Sequence, residues 1–279
     1  MRHIQKANRL FAKLRNKNWQ QHAPNSTTDG HNDDVPEAFS LYKSGQHPRS
    51  LGVTSTYDWS QHPYQYHWNS LGLRGPEPNP EATKRIVAIG NSLTLGRGVP
   101  VENSFIYKVA QHFEADYINI SDNYVMTDVL DPMKEILSWY KPHLIYLSEF
   151  RFIDAGMFLV WNFNKQYDLK IGKSELMDVL EDSIIKTITM FEDTIRLIAP
   201  QADVLWDIGL SSRALWLGDG FTNKKVLNSL TFPCITYTNE DILLDLGRDN
   251  KHPGIQGHDW MTQRLIRIIG ESFDTFKSI

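Results

Sequence analysis

Arg85-Ile86-Val87-Ala88-Ile89-Gly90-Asn91-Ser92-Leu93-Thr94-Leu95-Gly96-Arg97-Gly98-Val99 is the stretch on which the reading of this 279-residue chain turns. Its first six residues are a short apolar run closed by glycine, the pattern of a buried strand. A serine follows two residues past the strand, among glycines that let the backbone turn sharply. Such a turn can present a nucleophile or cradle a phosphate. The phosphate readings fail on spacing, because Gly96 is followed by Arg97-Gly98 where a P-loop needs Gly-Lys-Ser/Thr, and Gly-x-Gly-x-x-Gly is absent. The Gly-x-Ser-x-Gly elbow is absent too, since position 94 is Thr. The bland alternative is a plain strand-to-helix turn capped by Ser92.

Downstream the pattern repeats. Residues 103–114 read as a helix, Tyr117-Ile-Asn-Ile120 as a strand, and 127–140 as a helix with Val129, Met133, Ile136 and Leu137 on one face. Leu144-Ile-Tyr-Leu147 is a third strand. Residues 173–198 carry Leu176, Val179, Leu180, Ile184, Ile188, Phe191 and Ile195 at helical spacing. Ala202–Trp206 is a fourth strand, Phe232–Tyr237 a fifth, and 255–276 a closing helix. Strands alternating with helices predict an α/β fold with a parallel sheet covered on both faces.

Upstream the chain is different. Residues 1–20 carry Arg2, Lys6, Arg9, Lys13, Arg15 and Lys17 with no acidic partner, and Ile4, Ala7, Leu10, Phe11 and Leu14 at helical spacing. Charges break any apolar run long enough for a secretory signal. A solvated helix packing one face on the body is the favoured reading, with a transit peptide or membrane-surface helix as alternatives. Residues 21–50 are polar and read as a linker. Tyr64, Tyr66 and Trp68 alternate as in a short strand. With Tyr57 and Trp59 they form an aromatic run that could stack on sugar rings, though such runs more often pack on a sheet edge or core. Residues 76–83 are a Pro-rich stop. The expected organisation is an N-terminal extension over 1–80 (basic helix, polar linker, aromatic-rich segment) and an α/β domain over 81–279.

Composition narrows the function classes. Hydrophobic residues are 41%, charged 22% and aromatic 11%, which is a globular balance, and the net charge of −4 excludes a strongly basic nucleic-acid binder. One cysteine, Cys234, excludes an intramolecular disulfide framework and a Cys-based zinc site. His22, His31, His47, His62, His67 and His112 lack the His-x-x-x-His pairing of a helix-borne zinc site, so no metal and no cofactor are expected. No apolar run is long enough for a transmembrane helix. The missing secretory pattern points to the cytoplasm, and a virion protein would look the same.

The C-terminal segment supplies partners for the serine. Asp249-Asn250-Lys251-His252-Pro253 places a carboxylate and an imidazole three residues apart just before the last helix. A neutral imidazole can take a proton from a serine hydroxyl, and a carboxylate on its other nitrogen fixes the tautomer. His258, six residues on, reads as part of that helix's first turn.

These blocks resemble the SGNH (GDSL-type) hydrolases. Gly90-Asn91-Ser92-Leu93 after Arg85-Ile-Val-Ala-Ile is similar to the family's first block, with Asn91 where Asp is usual. Asp249-x-x-His252-Pro253 resembles the last block, and Asn69-Ser-Leu-Gly-Leu-Arg-Gly75 and Gly98-Val-Pro100 are similar to bacterial and phage members. The resemblance covers roughly residues 68–276. It implies a three-layer α/β/α, flavodoxin-like fold with a central parallel five-stranded sheet, and hydrolysis of a small acyl ester, with an O-acetylated carbohydrate as the first guess. Ser92 would be the nucleophile, His252 the base and acid, Asp249 its orienter, and the Ser92 backbone N–H one oxyanion donor.

The middle blocks depart from that pattern. Asn119–Met126 holds no glycine, and Asn123 or Tyr124 falls where the family's oxyanion glycine stands. Tyr146–Asp154 holds no asparagine, and Arg151 lies near that place; its bland reading is an ion pair with Glu149 or Asp154. Each oxyanion donor is worth about 2.7–4 kcal/mol of transition-state stabilisation. The apolar stretch within 155–172 reads as a core plug or a lid over the ligand. Two alternatives therefore stand beside the hydrolase: an inactive, glycan-binding or structural protein of the same fold, and an O-acyltransferase.

Overall fold

The computed structural model describes residues 24–29, 53, 55, 57–59, 61–121, 126–148, 173–210, 224–249 and 252–277. Its strands are β1 (Ser26–Thr28), β2 (Tyr66–Trp68), β3 (Arg85–Gly90), β4 (Asp116–Ser121), β5 (Leu144–Ser148), β6 (Asp203–Leu210) and β7 (Cys234–Thr238). Its helices are α1 (Ser92–Leu95), α2 (Phe105–His112), α3 (Met126–Tyr140), α4 (Lys173–Ile198), α5 (Lys224–Ser229), α6 (Asn239–Ile242) and α7 (Ile255–Ser272). β3 to β7 form one parallel sheet in the order β4-β3-β5-β6-β7. Counted along the chain, that order is second-first-third-fourth-fifth, the flavodoxin-like winding, which opens a crevice at the carboxyl ends of β3 and β5. Among the described residues no helix is long and apolar enough to cross a membrane.

The core lies in two layers, one on each side of the sheet. Val87, Ile89, Ile118, Ile120, Ile145 and Leu147 pack under α3 and α4, against Val129, Met133, Ile136, Leu137, Phe191 and Ile195. Ile86, Ala88, Leu144, Tyr146 and Leu205 face α2 and α7, against Phe105, Val109, Met261, Leu265 and Ile269. Successive strand residues point to opposite faces, and both faces are roofed, so these strands are apolar throughout rather than alternating. The fold is the expected three-layer α/β/α.

Several boundaries differ from the sequence reading, for physical reasons. β6 continues through Asp207 to Leu210, four residues past the expected end. Asp207 is fully buried, but it accepts two hydrogen bonds from Arg264 at 2.9 and 3.0 Å and one from the Tyr146 hydroxyl at 3.0 Å. The polar segment 21–50 contains β1, which pairs antiparallel with β2 and accepts the Trp68 indole N–H on Thr28 Oγ1. The closing helix stops at Ser272, and a separate turn follows over Asp274–Phe276. The basic stretch 1–20 and residues 155–172 lie outside the described residues.

The aromatic run is packing rather than an open platform. Tyr57, Trp59, Tyr64, Tyr66 and Trp68 touch in series, with ring centroids 4.6, 5.7, 5.8 and 5.8 Å apart. Trp59, Tyr66 and Trp68 are buried, and Trp59 Nε1 donates to Leu246 O at 3.1 Å. After β2 the chain reverses around Asn69, whose Oδ1 accepts from the Leu71 and Leu73 amides. That turn delivers Arg74 to the core. Its guanidinium donates to the carbonyls of Leu95, Gly96 and Val99 at 3.1, 2.5 and 2.6 Å and lies 3.8 Å over the Tyr66 ring. Arg248 repeats the device, donating to Tyr64 O and Asp29 O while covering the Tyr64 ring.

Gly90 ends β3 because the turn leaves no room for a side chain. A Cβ there would run into Thr94 Oγ1 and come within 2.6 Å of Ser148 Cβ. Gly90→Ala should destabilise the fold by about 1–3 kcal/mol, read as a lowered Tm in thermal unfolding. An unchanged Tm would show that the turn can relax away from β5.

Candidate active site

The serine turn is built by local hydrogen bonds. Asn91, in extended conformation, caps α1, its Oδ1 accepting from Leu93 N at 2.9 Å. The cap is therefore Asn91 rather than Ser92, which leaves the Ser92 hydroxyl for other work. Gly96 closes the single helical turn in the left-handed region, and Arg97 N donates back to Ser92 O at 3.0 Å. Gly98, at φ +89°, turns the chain again; its N–H donates to the Tyr66 hydroxyl at 3.0 Å, and its carbonyl accepts from Arg248 N at 2.8 Å.

The second loop lies between α6 and α7. Gly247 N donates to His252 O at 2.9 Å and Gly254 N to Asp245 O at 3.0 Å, closing a tight loop that carries Asp249 and His252. The two loops meet backbone to backbone. A Cβ on Gly247 would stand 2.8 Å from Gly98 O, and one on Gly98 would stand 3.2 Å from Asp249 Oδ1. Glycine at both positions is what allows the approach.

Three candidate residues, from positions 160 apart, come together there. Ser92 Oγ is 2.7 Å from His252 Nε2. His252 Nδ1 is 2.5 Å from Asp249 Oδ2, and His252 N donates to Asp249 Oδ1 at 3.1 Å. Asp249 has no exposure, whereas the His252 side chain keeps 14%. Burial pushes the Asp249 carboxyl up, but the His252 imidazole and amide, and then the Arg97 guanidinium, outweigh it and hold the group well below the usual carboxylate range. With Asp249 ionised, Nδ1 carries the proton it donates, and Nε2 is left to accept the Ser92 O–H. This is an arrangement able to activate a serine hydroxyl.

Asn123, Tyr124 and Arg151 lie outside the described residues, as do Glu149 and Asp154. β4 ends at Ser121 and β5 at Ser148, so the segments carrying those candidates begin at the same edge of the sheet as the serine turn. Among the described residues no three His, Cys, Asp or Glu side chains gather as a metal site. The sequence reading missed Arg97, whose Nε lies 3.6 Å from Asp249 Oδ2. The available signal was a charged residue set between two turn glycines, in a segment otherwise apolar. It also missed Arg74 and Arg248, whose acceptors are main-chain carbonyls and leave no mark in a sequence.

No family model matches the chain, and no curated protein does. Solved structures similar in chain course include a carbohydrate esterase family 2 enzyme with a carbohydrate-binding domain from Corynascus thermopiles (Myceliophthora fergusii), at 14% identity and a TM-score of 0.47 over 71% of this chain and 68% of that one. Another is an acetyl xylan esterase from the rumen bacterium Butyrivibrio proteoclasticus, at 17% and 0.44 over 73% and 67%. A third is an extracellular lipase from Streptomyces rimosus, at 16% and 0.44 over 66% and 99%. The fold is assigned from the strand order itself, and the chemistry below from the side-chain geometry.

His258, in the first turn of α7, is fully buried; its Nδ1 accepts from Phe105 N at 3.2 Å and its ring stacks on Phe105. Burial first, then the charges of Arg74, Lys108 and His252, push its pKa down from 6.5 to about 3. The unfolded chain therefore binds this proton more readily. The stability His258 contributes is complete above pH 6.5 and is lost as pH falls toward 3. Between pH 7.5 and 5.0 the wild type should lose about 2 kcal/mol more than His258→Gln, measured by denaturant unfolding at both pH values. Parallel losses in the two proteins would refute it.

Proposed function

We propose that the protein is a serine ester hydrolase of SGNH type, cleaving a small acyl ester through an acyl-Ser92 intermediate. The observation that carries this reading is the unbroken chain Ser92 Oγ, His252 Nε2, His252 Nδ1, Asp249 Oδ2, with contacts of 2.7 and 2.5 Å. His252 Nε2 takes the hydroxyl proton as Ser92 Oγ bonds to the ester carbonyl carbon. The carbonyl oxygen becomes an oxyanion facing the Ser92 backbone N–H. Collapse breaks the bond to the alcohol oxygen, which receives the proton from His252. Water then attacks the acyl-serine, giving its proton to Nε2, and the released Ser92 Oγ takes it back. Asp249 stays ionised throughout and steadies the imidazolium. Further oxyanion donors are assigned to the segments after β4 and β5, with Asn123, Tyr124 and Arg151 as candidates. An O-acetylated carbohydrate is the substrate class to screen first.

A second reading, a glycan-binding protein of the same fold without chemistry, is favoured by one observation. Asn119–Met126 has no glycine and Tyr146–Asp154 no asparagine, so the usual oxyanion donors are replaced. Reaction with a fluorophosphonate probe separates the two. The hydrolase reading expects labelling of the wild type, none for Ser92→Ala or His252→Ala, and a rate lower by about 10²–10⁴ for Asp249→Asn. A folded wild type that stays unlabelled, with glycan affinity surviving in Ser92→Ala, would favour the binding protein. Acyl movement to an added sugar in preference to water would identify a transferase using the same serine.

A further inference from the structure

Asp249 Oδ2 is contacted from two sides. On one side is His252 Nδ1 at 2.5 Å; on the other is Arg97 Nε at 3.6 Å. The Arg97 side chain is 8% exposed and the Asp249 side chain has no exposure, so this is a contact between two charges removed from water. Its length exceeds that of a hydrogen bond, and its effect is therefore a matter of charge rather than of direction.

The backbone of Arg97 is also fixed. Its own amide donates to Ser92 O, and the next residue is fixed at both ends, Gly98 N on the Tyr66 hydroxyl and Gly98 O on Arg248 N. The guanidinium thus belongs to the loop that carries Ser92, while the carboxylate it meets belongs to the loop that carries His252. One ion pair joins the two halves of the site.

We propose that Arg97 is a positioning residue that shares the Asp249 carboxylate with His252 and so limits how much of that negative charge the imidazole receives. The proposal rests on the reading of His252 as the base for Ser92. A buried carboxylate on Nδ1 favours the protonated ring, which cannot accept the serine proton. A second cation on the same oxygen draws off part of that field and keeps Nε2 available.

Among the described residues, the other ionisable groups on the neighbouring elements have partners elsewhere. Asp245, on the same loop, accepts from Gln256 N and Gly257 N at the start of α7. His258, from α7, is buried and held neutral. Arg74 and Lys108 act on His258. The Arg248 guanidinium is directed to Tyr64 O and Asp29 O.

Two measurements on the full chain test this. The first follows the imidazole titration of His252 by NMR, the signal being assigned by its loss in His252→Gln. Removing the guanidinium leaves the carboxylate to the imidazole alone, which favours the protonated ring. Arg97→Gln should therefore raise the titration midpoint by about 0.5–1 pH unit, and Arg97→Lys should restore most of the wild-type value. Arg97→Met, which keeps the buried stem, serves if the Gln variant does not fold. A midpoint that stays within about 0.2 pH unit of wild type in a folded neutral variant, with only a lower Tm, would reduce Arg97 to a structural side chain and overturn the proposal.

The second measurement is the pH dependence of fluorophosphonate labelling. Its acid limb should move upward with the NMR midpoint in Arg97→Gln, and a limb that stays put while the enzyme labels would also overturn the proposal. A wild type that never labels, but whose His252 midpoint does rise in Arg97→Gln, would support the charge sharing while overturning the hydrolase reading.

Discussion

A carboxylate with no access to water, Asp249, is the constraint around which the site is organised. An isolated buried charge costs several kcal/mol, so it must be met by donors and opposite charge. Asp249 meets them by drawing two loops together: His252 from its own loop and Arg97 from the serine loop. That approach requires main chain against main chain at Gly98 and Gly247. The loops in turn need backing, and the segment from Tyr57 to Arg74 provides it. Arg74 gathers the carbonyls at the end of the serine turn, Tyr66 receives the Gly98 amide, and Trp59 holds the start of the second loop through Leu246 O.

Arg74 and Arg248 show how buried cations can be used to gather main-chain carbonyls. Each sets its guanidinium 3.8 Å over a tyrosine ring and donates from its terminal nitrogens to backbone carbonyls. A planar five-donor fork suits this better than an ammonium, because several carbonyls can be bound while the π-face covers the rest. The carbonyls Arg74 binds lie at the end of the one-turn helix α1 and in the loop that follows it, where helical partners run out.

What could be read in the sequence follows from the range of the forces involved. β3 and β5 were legible because strands roofed on both faces are apolar at every position, and α7 because its periodicity is long. The adjacency of Asp249 and His252 was legible because three residues in a short loop leave little room to diverge. The second half of β6 was hidden because Asp207 looks like a strand terminator until Arg264, 57 positions later, is seen to meet its charge. β1 was hidden because three polar residues become a strand only when β2 pairs with them. The arginine contacts were hidden because a main-chain carbonyl carries no sequence identity.

The backing of the site by the aromatic segment has a consequence in time. Trp59 and its acceptor Leu246 are 187 positions apart, and Arg248 reaches Asp29 across 219. At about 5–20 residues per second of synthesis, Trp59 emerges roughly 10–40 s before its acceptor exists. During that interval the aromatic ladder can meet the serine loop but not the second one, while β3, β4 and β5 can already pair. The sheet is then an early product of the chain and the reactive centre a late one, because closing so long a loop is slow. A newly made molecule passes through a stage in which Trp59 lacks its acceptor and the serine its base, and one closure supplies both.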